Sequence, residues 1–102
     1  MNIGITGRQQ AALERLIKIA QADNGQSRRT AEFLLSWWNA SNCGGFDLTT
    51  LWGVDPMIAA DMVTVFALVA NCRRYPDDLG YGEEFRRIVH AWRPVAERSD
   101  QA

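Results

Sequence analysis

Histidine is almost absent from the sequence, which has His90 alone in 102 residues. Any Ser-His or Cys-His mechanism would have to use this side chain as its base. No carboxylate lies three or four residues away on the predicted helix to orient the ring, and the chain has no GxSxG sequence. We therefore interpret His90 as a solvent-exposed side chain and predict that the protein is not an enzyme.

Cysteine is scarce as well, and Cys43 and Cys72 lack the CxxC spacing of zinc and redox motifs. Asp77 and Asp78 are adjacent, but no EF-hand spacing follows them, so we interpret them as turn residues. The chain also lacks the GxxxxGK[ST] sequence of a phosphate-binding loop. The sequence predicts neither a metal site nor a bound cofactor.

Long apolar runs are missing too. The longest one, residues 62–70, is far too short to cross a bilayer, and Thr64 interrupts it. The first ten residues, MNIGITGRQQ, have no apolar segment of the kind found in signal peptides. We expect a cytoplasmic protein that makes no membrane contact and keeps its two thiols reduced.

Lysine is nearly absent, since the chain has only Lys18 but ten arginines. The formal net charge is -1. This balance lacks the basic surplus of a dedicated nucleic-acid-binding domain. A helix-turn-helix interpretation would make the helix that begins at Pro56 the recognition helix. Its opening side chains, Met57, Ile58 and Ala59, cannot hydrogen-bond to base edges, which argues against this form of DNA binding.

Apolar residues are plentiful, at 47% of a chain of single-domain size. Their helical periodicity predicts main helices over residues 6–22, 27–40, 56–73 and 83–93, and a short helix within 46–53. No alternating strand pattern occurs. The predicted fold is one all-α domain spanning 1–102, a bundle of four main helices plus one short loop helix, with frayed ends at 1–5 and 95–102.

Turn and cap residues set the predicted helix ends. Asn24-Gly25 is the predicted C-cap of the first helix, because both residues accept a left-handed backbone. Asp47 is the predicted N-cap of the short helix, and Asp55-Pro56 that of the third. Pro94 is expected to stop the last helix.

Four apolar stripes define the predicted core. They are Leu13, Leu16, Ile17 and Ala20; Ala31, Leu34, Leu35 and Trp38; Ile58, Met62, Val65, Phe66 and Val69; and Phe85, Ile88, Val89 and Trp92.

Trp37 and Trp52 are less easily assigned. Trp37 lies beside the main stripe of the second helix, and Trp52 lies on the short loop helix. Core packing around a central second helix is one interpretation, and lining of a groove that receives a partner is the other.

Arg28 and Arg29 occupy the predicted first turn of the second helix, where positive charge is unfavourable. The backbone N–H groups after Gln26-Ser27, together with two guanidinium groups, would bind an anion or an acidic partner. Alternatively, both arginines form ion pairs with Asp23 or with acids that the fold brings near.

Five short stretches carry a family resemblance. They are GQSRR (25–29), FLLSWWN (33–39), GGFDL (44–48), RRYP (73–76) and LGYG (79–82). From residue 12 to 94 the chain resembles an uncharacterised family of short proteobacterial proteins that are often carried on plasmids and integrative elements. The resemblance implies a cytoplasmic accessory protein of mobile DNA and supplies no catalytic or binding residue.

The first functional hypothesis is a non-enzymatic module that binds another protein, at a site that includes Gln26, Ser27, Arg28, Arg29, Trp37 and Trp52. A second copy of the chain is an alternative partner. The second hypothesis is an accessory protein that contacts nucleic acid through arginine and tryptophan, in element maintenance or in countering host defence.

Overall fold

The computed structural model describes residues 5–93, and these form an all-helical domain, as predicted. No strand occurs among them. In chain order the helices are α1 (Gly7–Ala20), α2 (Gly25–Cys43), the 3-10 helix η1 (Leu48–Gly53), α3 (Pro56–Cys72), the 3-10 helix η2 (Pro76–Leu79) and α4 (Gly82–Trp92). Pro94 and the segments predicted to fray lie outside the described residues, except for Ile5.

The connection between α1 and α2 has the predicted length of four residues but lies two residues earlier in the chain. Thr6 is the N-cap of α1, and its hydroxyl and the side chain of Gln9 each accept the other residue's backbone N–H at 3.0 Å. The helix then ends at Ala20. The prediction that Asn24 caps its C-terminus is wrong, because the Asn24 carboxamide oxygen accepts the N–H of Ser27 at 2.9 Å and begins α2. Asparagine is favoured in both roles, so composition alone could not separate them.

The far end of α2 extends three residues beyond the predicted end. Asn39 has non-helical backbone angles (φ −165°, ψ 78°) and kinks the helix. Its carboxamide oxygen accepts the N–H of Asn42 at 3.3 Å, as an N-cap would. One further turn follows and ends at Gly44, whose φ of 97° suits glycine.

The core lies between α1 and the helices that pack on it. All four residues of the predicted α1 stripe are buried, as are Leu34 and Leu35 of α2 and Phe85, Ile88 and Val89 of α4. A bidentate ion pair links α1 to α3, with Arg15 Nε and Nη2 each 2.9 Å from a carboxylate oxygen of Asp61. This pair and the α1 stripe together fix which side of α3 faces inward.

The inner face of α3 differs from the predicted one, and it also includes the buried Cys72. Leu68 is fully buried, whereas Phe66, predicted to be in the core, is 64% exposed. Because α3 is apolar around most of its circumference, periodicity could not identify which side α1 would cover. The side left in solvent is therefore apolar.

Trp38 and Trp92, predicted to be core residues, are only partly buried and pack against the core. Each indole N–H donates to an oxygen atom of another element or its end. The Trp38 donor reaches Asp77 Oδ1 at 2.9 Å, and the Trp92 donor reaches the carbonyl oxygen of Ala20 at 2.8 Å. A buried indole N–H needs such a partner, and this need places both rings at the edge of the core.

Candidate functional site

An apolar groove lies between η1 and α3. Its volume is about 270 Å³. The lining consists of apolar side chains, namely Phe33, Phe46, Leu48, Leu51, Met62, Val63 and Phe66. Leu48, Val63 and Phe66 are more than half exposed, so the groove opens to solvent. We call it the η1–α3 groove.

Two local features shape the η1 side of the groove. Asp47 is the N-cap of η1, as predicted, and its carboxylate accepts the N–H and the hydroxyl of Thr49 at 2.9 and 2.8 Å. The backbone hydrogen bond from Thr49 lowers the pKa of Asp47. The Phe46 ring packs edge-on against Phe33, with ring centroids 5.2 Å apart. The GGFDL stretch therefore builds the entrance to η1 and part of the groove floor.

Gln26 fastens the other end of η1 to α2. Its side-chain amide donates to the carbonyl oxygen of Gly53 at 3.3 Å, and its carbonyl oxygen accepts the N–H of Asp55 at 3.1 Å. One side chain thus holds the last residue of η1 and the N-cap of α3. These contacts join residues 27 and 29 positions apart, so no local sequence pattern could have revealed them.

Arg29 covers the same junction. A Cβ on Gly53 would lie 3.0 Å from Arg29 Nε, and a Cβ on Gly25 would lie 3.4 Å from its Nη1. The guanidinium plane therefore lies close against both backbones where glycine leaves room. The GQSRR stretch positions η1 through Gln26 and Arg29.

The structure revises two expectations about the arginine pair. Because α2 begins at Gly25, Arg28 and Arg29 lie in its second turn rather than its first. Within residues 5–93 neither guanidinium forms an ion pair, so the expected pairs with Asp23 or another acid are not present there. The Glu32 carboxylate lies instead 3.9 Å from Arg93.

The polar atoms proposed for anion binding largely have partners within the domain. Ser27 is fully buried, and both its N–H and its hydroxyl donate to Asn24 Oδ1. The amide nitrogen and the carbonyl oxygen of the Gln26 side chain both hydrogen-bond to the backbone between η1 and α3. Arg28 remains exposed. Partner contact by these residues stays a prediction.

The two unassigned tryptophans have different environments. Trp37 is half-buried against the edge of Phe85, with ring centroids 5.9 Å apart, and its N–H donates to the carbonyl oxygen of Arg74 at 3.0 Å. Trp52, on η1, is 85% exposed. Of the two, Trp52 is therefore the one whose ring is available to a partner.

A polar cluster that no local sequence pattern indicates joins α1 to α4. The Tyr81 hydroxyl donates to Glu14 Oε2 at 2.7 Å, and the Gln10 amide lies 3.5 Å from the same hydroxyl. Burial, then the hydrogen bond to Glu14, raises the pKa of Tyr81 to about 12. Tyr81 belongs to the LGYG stretch, whose role here is to tie the start of α4 to α1.

His90 is exposed on α4, as expected, at a shallow groove that also includes Gln21, Glu83, Arg86 and Arg87. Across residues 5–93, no group of three or more His, Cys, Asp or Glu side chains could hold a metal ion. In the same part of the chain, no helix is long and apolar enough to cross a membrane.

The described fold and groove define a small all-helical domain with an exposed apolar surface. A model for a family of unknown function, DUF7673, matches residues 10–93, and the chain belongs to this family. The match includes all five stretches on which the resemblance was based. No curated protein and no solved structure gave a match.

Proposed function

We propose that the protein is a non-enzymatic module that binds another protein at the η1–α3 groove. One observation carries the proposal: three side chains that line the groove, Leu48, Val63 and Phe66, are all more than half exposed. Exposed apolar side chains that form one patch are typical of interaction sites, whereas single ones are ordinary.

The size and lining of the groove favour a peptide segment over a small ligand. Sites for drug-sized ligands usually enclose about 300–1,000 Å³ and include a few convergent polar groups. The η1–α3 groove is smaller, and its lining side chains are apolar. It suits the apolar side of an amphipathic helix that inserts one or two large side chains, with Trp52 as an aromatic contact beside them.

The lining also favours protein over nucleic acid. Stable binding to a phosphate backbone needs cations, and the groove lining includes none. Arg29, which contacts the end of η1, lies against Gly53 and Gly25.

The biological setting is part of the proposal. We infer a cytoplasmic accessory protein of a mobile genetic element that acts by binding a protein of the element or of its host. This setting is what the resemblance of the five sequence stretches implies.

The test is affinity capture from a bacterial host that carries such an element, followed by mass spectrometry. Wild type is compared with Trp52→Ala, Leu48→Ala and the matched control Tyr75→Ala, which removes an aromatic ring that is 61% exposed outside the groove. The expected result is one or more proteins captured by wild type and the control but lost with both η1 variants, Trp52→Ala and Leu48→Ala.

Binding is then measured with the purified captured protein. Each η1 variant should weaken it at least tenfold, and raising the salt concentration should have little effect. Capture that is equal in all four proteins would contradict the proposal. So would binding to nucleic acid that weakens steeply with salt.

A further inference from the structure

The outer side of α3 is an apolar surface of a second kind. Ala60, Val63, Ala67 and Ala70 follow one another at spacings of three and four residues, and all four are exposed. They form a single stripe along a helix of seventeen residues, about 25 Å long. The Arg15–Asp61 pair holds this side of α3 away from α1. We call these four residues the outer α3 stripe.

The spacing of the residues in the stripe is the same when it is read in either direction along the helix. If two α3 helices cross antiparallel about a two-fold axis at the level of residue 65, Ala60 faces Ala70 of the second copy and Val63 faces Ala67. Each contact then places a small side chain against a small or medium one, which allows close approach of the two axes, about 8 Å apart. Isologous pairing of this kind is the commonest form of homo-oligomer.

The charges at the two ends of α3 suit the same arrangement. Asp55 precedes the helix and is exposed, and its carboxylate makes no capping hydrogen bond. Arg73 and Arg74 follow the helix and are exposed, and neither forms an ion pair within residues 5–93. An antiparallel two-fold pair brings the Asp55 end of each helix to the Arg73–Arg74 end of the other. It also aligns the two helix dipoles favourably.

We propose that the outer α3 stripe is the self-association surface of this protein, where a second copy binds with its α3 antiparallel. A second copy is the occupant that the charges favour, because the acidic start of α3 is complementary to the basic end of an antiparallel α3. The inference goes beyond the proposed function. Val63 belongs to both surfaces, but the other three residues of the stripe do not line the η1–α3 groove.

The first experiment measures the mass of the purified chain by sedimentation equilibrium up to high micromolar concentration. Wild type should approach twice the single-chain mass of 11.5 kDa. Ala67→Arg places a charge in the stripe and should restore the single-chain mass. Ala11→Arg makes the same change at an exposed position of α1 and should dimerise like wild type.

The second experiment tests the antiparallel register with a short bis-maleimide. A mixture of Ala60→Cys and Ala70→Cys chains should cross-link several times faster than either variant alone, because like positions lie about 15 Å apart along the paired helices. Wild type controls for the native thiols of Cys43 and Cys72, both of which are buried.

The third experiment tests the charge pattern. Asp55→Arg should raise the dimer dissociation constant about tenfold, since the two-fold axis applies each change twice. Adding Arg73→Asp and Arg74→Asp to the same chain should recover most of the loss.

Three results would overturn the inference: a single-chain mass for wild type at every concentration, a dimer that survives Ala67→Arg, or equal cross-linking of the mixed and unmixed cysteine variants. None of them bears on binding at Trp52 and Leu48, so the proposed function would be judged separately by its own variants.

Discussion

The guanidinium of Arg29 lies so close to Gly53 that a Cβ on that glycine would approach Arg29 Nε to 3.0 Å. Arg29 belongs to α2 and Gly53 ends η1, so this contact holds the 3-10 helix against the body of the domain. The side-chain amide of Gln26 also donates a hydrogen bond to the carbonyl oxygen of Gly53. The position of Trp52, one residue before Gly53, therefore depends on α2.

The first prediction concerns this contact. Gly53→Ala should destabilise the protein by up to about 1 kcal/mol, because the added methyl group displaces the Arg29 side chain from η1. In an Arg29→Ala background the same change should be neutral or slightly stabilising, since alanine lowers the entropy of the unfolded chain. Urea unfolding of the four proteins gives the coupling free energy, which we expect to be about 0.5–1 kcal/mol.

Arg28→Ala is the matched control for that cycle, because Arg28 is the exposed neighbour of Arg29. Gly53→Ala should cost the same with or without Arg28. If the Arg29 cycle shows no coupling either, the Arg29–Gly53 contact does not stabilise η1.

The second prediction separates the core from the apolar surface. Leu35 is fully buried, so Leu35→Ala should cost about 2–5 kcal/mol. Phe66→Ala removes a larger side chain but should cost under about 1 kcal/mol, because that ring is mostly exposed. Thermal and urea unfolding measure both changes, and a cost for Phe66→Ala as large as that for Leu35→Ala would place Phe66 in the core.

The third prediction concerns alkaline pH. The pKa of Tyr81 rises to about 12 in the folded chain, against an ordinary value of about 10. Between these values the folded state keeps a proton that the unfolded state has lost. The Tyr81 contribution to stability is therefore complete below about pH 10 and is lost as the pH rises towards 12.

Tyr81→Phe provides the comparison, because other groups also titrate at high pH. The difference in melting temperature between wild type and Tyr81→Phe should shrink between pH 10 and 12, as the hydrogen bond to Glu14 is lost in wild type. A difference that stays constant over this range would show that the Tyr81 hydroxyl does not stabilise the fold through its protonated form.

The fourth prediction concerns the end of α3. Arg73 adopts a left-handed conformation there, with φ 55° and ψ 39°, which suits glycine or asparagine better. Arg73→Gly should stabilise the fold by about 0.5–1 kcal/mol through relief of this backbone strain. The same change removes a charge from the α3 end and should weaken self-association, so unfolding is measured on the Ala67→Arg background to keep the two effects apart.

Elements with a strong local pattern were predictable from sequence. The apolar stripe of α4 placed that helix within one residue of its observed ends, and Asp47 and Asp55-Pro56 located the starts of η1 and α3. In each case one local preference dominates and no tertiary contact competes with it.

The rest depended on contacts between distant parts of the chain. The face of α3 was ambiguous because nearly every face is apolar, and only packing on α1 determines that Leu68 points inward and Phe66 outward. The structural use of Gln26 and Arg29 was hidden for a similar reason. Their partner, Gly53, is far along the chain and has no side chain to indicate the contact.

The unequal exposure of the tryptophans gives the protein a built-in optical reporter. Trp37, Trp38 and Trp92 are partly covered by the core, whereas the Trp52 indole is 85% exposed on η1. The long-wavelength fluorescence that is typical of a solvent-exposed indole should therefore come mainly from Trp52. A protein that covers Trp52 when it occupies the η1–α3 groove would shift this emission to shorter wavelength, so binding can be followed in solution without attaching a dye.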